Sequence, residues 1–253
     1  MNSLIFDTHA HYTDDRFATT SVLQDLQNNK TVLAAITCGV DYADSLNAIS
    51  LANKYPFIYA AVGIHPQEVN ETTVFSESDF LPLIKNKKVV AVGEIGLDYY
   101  WDTTHKLAQQ EIFAAQLQFA NKHNLPVSVH DREAHADTLD ILNAHKPKGV
   151  VHCFSGSAQM AQQILNLGMY IGVGGVVTFK NAKKLTEVVA ATPLERILLE
   201  TDAPYLAPEP FRGKINHSAY IEYIAEAIAA IKGVSASAVL NQTAQNAKNL
   251  FNI

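Results

Sequence analysis

Eight short apolar runs, each followed by a longer mixed segment, set the main constraint on how this chain folds. They are Leu4–Phe6, Val32–Thr37, Phe57–Val62, Val89–Val92, Val127–Val129, Val150–Val151, Met169–Val173 and Ile197–Leu199. Several are rich in Val and Ile and show little polar alternation. A strand with one wet face alternates, whereas a strand covered on both faces does not, and parallel sheets are covered on both faces. The segments between the runs carry helical stripes. Ala108, Ile112, Ala115 and Phe119 share one face, and so do Ile221, Ile224, Ile228 and Ile231. Asn124-Leu125-Pro126 closes one helix and leads into the fifth strand.

Eight strands alternating with helices over 253 residues predict an α/β protein, a single (β/α)8 TIM barrel spanning residues 1–253. The chain after Ile197 then supplies the last β/α unit and a C-terminal helix. A doubly wound open sheet is the alternative. It usually has fewer strands and often a glycine-rich phosphate loop. Gly172-Val173-Gly174-Gly175 comes nearest to such a loop, but its spacing is wrong and it sits late, so it reads as a strand-end turn.

Composition matters mainly for what it excludes. Apolar residues at 48% and charged residues at 17% are ordinary for a soluble protein with a substantial core. A net charge of −6 offers no basic footprint for wrapping nucleic acid. Nucleic acid stays open as a substrate, because bound divalent cations invert the local field. The two cysteines, Cys38 and Cys153, lie in or at the end of apolar runs and read as core packing rather than a disulfide framework. The start of the chain has no basic and apolar leader pattern, and no run approaches 18 apolar residues. The expectation is a reduced, cytoplasmic protein with no membrane association and no obligate protein partner.

In a (β/α)8 barrel, chemistry sits at the C-terminal ends of the strands. The first run ends in Asp7-Thr8-His9-Ala10-His11. Side chains two apart on a strand point the same way, so His9 and His11 converge. Later ends carry Gly63-Ile64-His65-Pro66, Gly93-Glu94-Ile95-Gly96-Leu97-Asp98, His130-Asp131-Arg132, His152-Cys153-Phe154-Ser155-Gly156 and Glu200-Thr201-Asp202-Ala203-Pro204. His9, His11, Glu94, His130, His152 and Asp202 then form a ring of four imidazoles and two carboxylates. That exceeds the needs of one four-coordinate ion and suits two ions bridged by a carboxylate, roughly 3.5–4 Å apart. Taken singly, each has a plainer reading: a hydrogen-bonded surface histidine, or an acid capping a helix.

With these motifs, and with Val92-Gly93-Glu94-Ile95-Gly96-Leu97-Asp98-Tyr99 and Leu199-Glu200-Thr201-Asp202-Ala203-Pro204-Tyr205, the chain resembles the TatD family of metal-dependent hydrolases over essentially its whole length. That family lies within the amidohydrolase-like barrel superfamily. The resemblance implies a divalent-metal site and hydrolysis of phosphodiester bonds in DNA, often from the 3′ end. It implies that His9 and His11 hold one metal, that His130 and His152 hold a second, and that Glu94 bridges them. Asp202 touches the first metal and the nucleophilic water, as ligand, as general base, or as both. DNA, preferably single-stranded or at 3′ ends, is the expected partner. Two divalent ions are the expected cofactors, with magnesium, manganese, zinc and cobalt all open.

Other residues carry two readings each. His65 lies where the family contacts phosphate, or it caps a helix or stacks in the core. Arg132 offers a planar fork to phosphate, or pairs with Asp131 or Glu133. Asp98 orients a ligand histidine, or caps a helix. Tyr99, Tyr100 and Trp101 stack a base, or pack beneath a loop. Arg212 and Lys214 sit in a late loop that resembles a family motif and would hold phosphates. There the family continues with a basic residue, and with an acid and a proline after Asn216, where this chain has Ile215, His217 and Ser218. His105, His123, His135 and His145 lack ligand spacing and read as solvated surface. Two other functions stay open: a hydrolase of a small anionic ester, phosphoester or amide, and a non-catalytic partner kept folded by metal. A glutamate at the fourth strand, where a lysine would be carbamylated, favours a carboxylate-bridged site. His65 and Arg132 favour an anionic substrate.

Overall fold

Each apolar run pairs with the next one in the chain, and every pairing is parallel. The computed structural model describes residues 5–28, 31–101 and 103–253. Leu4, taken above into the first strand, lies outside the described residues. The strands are β1 (Ile5–Ala10), β2 (Val32–Cys38), β3 (Ile58–Val62), β4 (Val89–Asp98), β5 (Val127–Arg132), β6 (Gly149–Val151), β7 (Tyr170–Val173) and β8 (Ile197–Leu199). β8 returns to β1 through a parallel bridge between Ala10 and Ala203. Around that bridge the His11 N–H donates to the Ala203 carbonyl at 2.6 Å, and the Asp202 N–H donates to the His9 carbonyl at 2.9 Å. The sheet therefore closes into the predicted TIM barrel.

The helices are α1 (Val22–Asn28), α2 (Tyr42–Lys54), α3 (Glu77–Leu83), α4 (Lys106–Lys122), α5 (His135–His145), α6 (Ala158–Asn166), α7 (Lys183–Ala191), α8 (Ile221–Lys232) and α9 (Ala236–Phe251). Among the described residues, no single helix is long and apolar enough to cross a membrane. Ile221, Ile224 and Ile228 of α8 are buried, as their spacing predicts, with Ile231 packed at the edge. Phe6, Ile36, Ala61, Val90, Val150 and Leu198, from six strands, join one cluster with Phe251 at the end of α9. Asn246 of α9 donates to the Leu194 and Ile197 carbonyls, both at 2.9 Å, and so fastens that helix to β8.

β4 runs six residues past its predicted end at Val92. Gly93 and Gly96 look like breakers in the sequence, yet they lie within the strand, because β5 passes too close for a side chain. A Cβ on Gly96 would collide with the His130 carbonyl oxygen, and one on Gly93 would come within 2.8 Å of Ser128 Cβ. Gly96 also holds a φ of 146°, open only to glycine at low strain. Glu94 is therefore a buried mid-strand residue rather than part of a loop.

Ile112 and Phe119 of the predicted α4 stripe are buried, but the buried face is turned partly away from its two alanines. Ala108 and Ala115 are half-buried, while Phe113, Leu117, Gln109 and Gln116 are buried. Burial of Phe113 and Leu117 contributes about 1.5–3 kcal/mol each. The glutamines are tolerated because each clamps one residue's backbone. The Gln116 amide accepts from the Ile64 N–H at 2.7 Å and donates to its carbonyl at 3.1 Å. Gln109 does the same for Asp98, at 3.0 and 3.2 Å. Bonds of this kind are worth about 1 kcal/mol each, and here they pin the ends of β3 and β4 where His65 and Asp98 stand.

Candidate metal centre

Glu94 stands at the middle of the strand C-termini, and its two oxygens face different imidazoles. Oε2 lies 3.2 Å from both His9 Nε2 and His11 Nε2. Oε1 lies 2.7 Å from both His130 Nδ1 and His152 Nε2, with His65 Nε2 at 3.4 Å. Asp202 Oδ1 approaches the first side, 3.5 Å from His11 Nε2 and 4.0 Å from His9 Nε2. All six residues picked from the strand ends thus converge on one spot. β1 makes this convergence with a register irregularity opposite β2 between Asp7 and Ala10, the kind of bulge that re-aims side chains near sites.

The far nitrogens show what the near ones can do. His11 Nδ1 lies 3.1 Å from the Cys38 carbonyl, which accepts only, so Nδ1 carries a proton and Nε2 is the nitrogen left to give a lone pair to a cation once its own proton is displaced. Asp98 Oδ2 accepts from His130 Nε2 at 3.1 Å, which leaves Nδ1 as the nitrogen facing inward. Ser128 Oγ lies 2.9 Å from His9 Nδ1. These are the outer contacts that orient metal-binding histidines. His65 is wired the other way. Its Nδ1 accepts the Gln67 N–H at 3.1 Å, so its Nε2 is a donor aimed at the cluster. It caps the turn Pro66–Glu68, as one of its readings has it, and faces the cluster at once.

Facing nitrogens only 3.2–3.3 Å apart, His9 with His11 and His130 with His152, crowd around shared carboxylate oxygens. Imidazole and carboxylate in that arrangement fit a divalent cation. Donor atoms of His9, His11 and Glu94 lie within 4.8 Å of one another, and the same holds for His9, His152 and Asp202 and for His65, Glu94 and His130.

The electrostatics point the same way. Burial works against the Glu94 charge, yet His152, His65 and His9 outweigh it and hold the carboxyl well below its usual range. Burial is likewise overcome at Asp202, mainly by His11. Burial pulls His11 down, but Asp202 and Glu94 hold it well above an ordinary imidazole. At His130, Asp98 and Glu94 overcome burial and lift it to about 9. His9, crowded by burial and by His152, falls to about 4. The carboxylates thus retain protons on some imidazoles, and a cation would take the place of those protons.

Several supporting residues take no role from the sequence, although Asp7 and Glu200 stand inside its strand-end motifs. Asp7 is fully buried and accepts from the Thr201 N–H at 3.0 Å, from Thr201 Oγ1 at 2.7 Å and from Ser218 Oγ at 2.7 Å, locking β1 to the chain after β8. Ser128 and Glu200 are the others. Glu200 accepts the Cys153 N–H and lies 3.8 Å from His152 Nδ1. The signal that could have found them is period two: Ser128 precedes His130, and Glu200 precedes Asp202, by two residues. Asp202 itself sits at φ 57°, a left-handed conformation that aspartate and asparagine tolerate better than most residues.

A cleft of about 730 Å³ opens above the cluster, with Trp101, Arg132 and Tyr205 on its walls. Arg132 stacks on Tyr100, 3.9 Å from its ring centre, while Asp131 is bonded to His135 and Thr138. Arg212 and Lys214 are exposed and stand apart from the cleft lining, with Arg212 over the Phe179 ring at 4.2 Å. Ser218, one of the departures from the family motif, serves as the Asp7 partner. Asn216 is buried, donating to the Thr201 and Tyr205 carbonyls at 2.8 and 2.7 Å.

Asp98→Asn should weaken metal binding by about 10–100-fold with little change in folding. Calorimetric titration of the metal-free protein with manganese checks this. An unchanged affinity would show that the Asp98–His130 bond does not orient the ring toward metal.

A parallel (β/α)8 barrel with this imidazole–carboxylate cluster at its strand ends is a metal-dependent hydrolase, an enzyme acting on ester bonds. The TatD related DNase family model matches residues 6–252, and the chain belongs to that family. It is 40% identical over 255 residues to an uncharacterized metal-dependent hydrolase, YabD, of Bacillus subtilis, covering 99% of this chain and 100% of the relative. It is 34% identical over 230 residues to the 3′-5′ ssDNA/RNA exonuclease TatD of Salmonella typhimurium, covering 88% of each. The crystal structure of YJJV, a TatD homolog from Escherichia coli, superposes with a TM-score of 0.92 at 32% identity over the whole of both chains.

Proposed function

We propose that this chain is a divalent-metal-dependent deoxyribonuclease that shortens single-stranded DNA from its 3′ end. The observation that carries the reading is Glu94, whose two oxygens face two separate pairs of imidazoles beneath an open cleft. His9, His11, Glu94 and Asp202 would hold one cation, and His130, His152 and Glu94 a second. The chemistry supplied by such cations, when bound, is offset of phosphoryl charge and a more acidic water. The naming of the Salmonella relative as a ssDNA/RNA exonuclease supports this choice of substrate.

The chain's own groups divide the remaining work. The Asp202 side chain is partly open to the cleft and is held in its charged form, so it accepts the proton of the attacking water. The His65 Nε2–H donates to a non-bridging phosphoryl oxygen. The Arg132 guanidinium meets the next anionic group with its fork. Arg212 and Lys214, outside the cleft, would meet phosphates further along the strand. The second reading, a small anionic phosphoester or other ester, draws on the cleft lining. Asp14, Asp44, Glu68 and Asp131 line it, and among the described residues Arg132 is its one arginine or lysine.

Digestion of single-stranded DNA labelled at either end, with magnesium or manganese, tests the reading. Stepwise shortening from the 3′ end that stops on chelation is expected. Hydrolysis of small phosphodiesters with every oligonucleotide left intact would overturn the nuclease and favour the second reading. In chelator, binding to duplex DNA is expected to be weak, because without cations the cleft is mostly acidic.

A further inference from the structure

We infer that Tyr100 and Trp101, braced by Arg132, form a stacking platform for one unpaired base of the strand whose phosphodiester lies over the Glu94 cluster; this rests on the nuclease reading above. Of the three aromatics that follow β4, Tyr99 is turned into the structure. Its hydroxyl donates to Asp137 at 2.7 Å, and Lys106 lies over its ring. The next two are left in the open. Tyr100 is 55% exposed and Trp101, the chain's one tryptophan, is 66% exposed. Their rings meet edge to face with centres 4.9 Å apart. The Arg132 guanidinium, from the end of the neighbouring strand β5, lies 3.9 Å from the Tyr100 ring centre and 5.2 Å from that of Trp101.

Two features set this group apart from a stray exposed aromatic. The first is its anchorage. Asp98 Oδ1 accepts the Tyr100 N–H at 2.9 Å and the Trp101 N–H at 3.4 Å, while its other oxygen accepts from His130 Nε2. One carboxylate therefore sets the spacing between the aromatic pair and an imidazole of the cluster. The second is position. Trp101 lines the cleft over the cluster and also a second cavity of about 530 Å³ that holds Pro66, Asn70 and His105. It is shared by the two, as are Gln67, Glu68 and Asp98. A strand with one phosphate over Glu94 would carry its neighbouring base toward Trp101, where the two cavities meet. Every base has a π face, so stacking there is tolerant of sequence. A base inside a duplex already has both faces covered, so the platform selects single strands and frayed ends. Arg132 gives the platform a cationic edge, which suits a nucleotide more than a neutral ring.

The test compares metal-loaded wild-type protein with Trp101→Ala and Trp101→Phe on two oligonucleotides. One ends in ordinary nucleotides and the other in abasic tetrahydrofuran residues. On ordinary ends Trp101→Ala should raise KM about tenfold with kcat nearly unchanged, and Trp101→Phe should restore most of the loss. Wild-type protein on abasic ends should show the same rise, with no further rise when the substitution and the abasic end are combined. Equal effects of Trp101→Ala on both substrates, or a loss confined to kcat, would overturn the platform. A second readout does not need turnover. Thymidine 5′-monophosphate should quench the fluorescence of the single tryptophan saturably, and deoxyribose 5-phosphate should not. Absence of quenching overturns the platform. Intact oligonucleotides alongside clear quenching would overturn the nuclease reading and leave the platform as a nucleotide-binding surface.

Discussion

Asp202→Asn is expected to lower kcat on single-stranded DNA by about 10²–10⁴-fold without unfolding the protein. The substitution keeps the shape of the side chain and removes its ability to take a proton. Asparagine also suits the backbone here, since Asp202 sits at φ 57° and asparagine tolerates that region. Alanine would be a poorer control, because it would add strain at a positive φ. The main-chain bond from Asp202 to His9, which helps close β8 onto β1, does not involve the side chain and should persist. The check is kcat beside Tm for the two proteins. A kcat within threefold of wild type would remove Asp202 from the role of base and leave it at most a ligand.

Glu94→Gln should have an effect at least as large, through metal binding rather than proton transfer. Four imidazoles of the cluster face this one carboxylate, and it is 2% exposed, so no solvent can replace its charge. Loss should exceed the 10–100-fold typical of an outer contact such as Asp98. If the wild-type protein holds the two cations proposed above, bound metal should fall to less than one per chain by elemental analysis. The sign of the pH dependence follows from the protons already there. His11 is held well above an ordinary imidazole and His130 up to about 9, by burial opposed and overcome by the facing carboxylates. Metal must displace these protons, so wild-type affinity should rise with pH from the acid side toward 9 and loading at pH 7 should release protons. In Glu94→Gln one of the groups retaining those protons is gone, so fewer should be released. Calorimetry in two buffers of different ionisation enthalpy counts them. Undiminished metal stoichiometry in the variant would rule out Glu94 as a shared ligand.

Much of the barrel is legible in the order of the residues alone. Val/Ile runs without polar alternation mark strands covered on both faces, and eight of them alternating with helical stripes leave few other architectures. The six residues of the cluster are legible for a related reason. Strand periodicity is two, so His9 and His11 share a direction, and a parallel barrel gathers all strand C-termini at one end. Knowing which residues end strands is then nearly enough to know which ones meet.

Other features depend on distances between segments far apart in the chain. The length of β4 is hidden because Gly93 and Gly96 resemble breakers, and only the approach of β5 reveals that they are strand residues without room for a Cβ. Gln109 and Gln116 break the apolar stripe of α4, and their burial makes sense only once the backbone amides of Asp98 and Ile64 lie opposite. Asp7, Ser128 and Glu200 read as ordinary polar residues until closure of the barrel buries them against their partners. His65 changes from a generic site histidine to a donor because the Gln67 N–H occupies its other nitrogen. Arg212 and Lys214 read as site residues by motif, and the fold sets them outside the cleft. The sequence by itself determined the class of fold and which side chains meet at the strand ends, because hydrophobic periodicity and strand polarity are local properties. The tertiary structure alone decided protonation, burial and the walls of the cleft, because each of these depends on which atoms a group meets across the barrel.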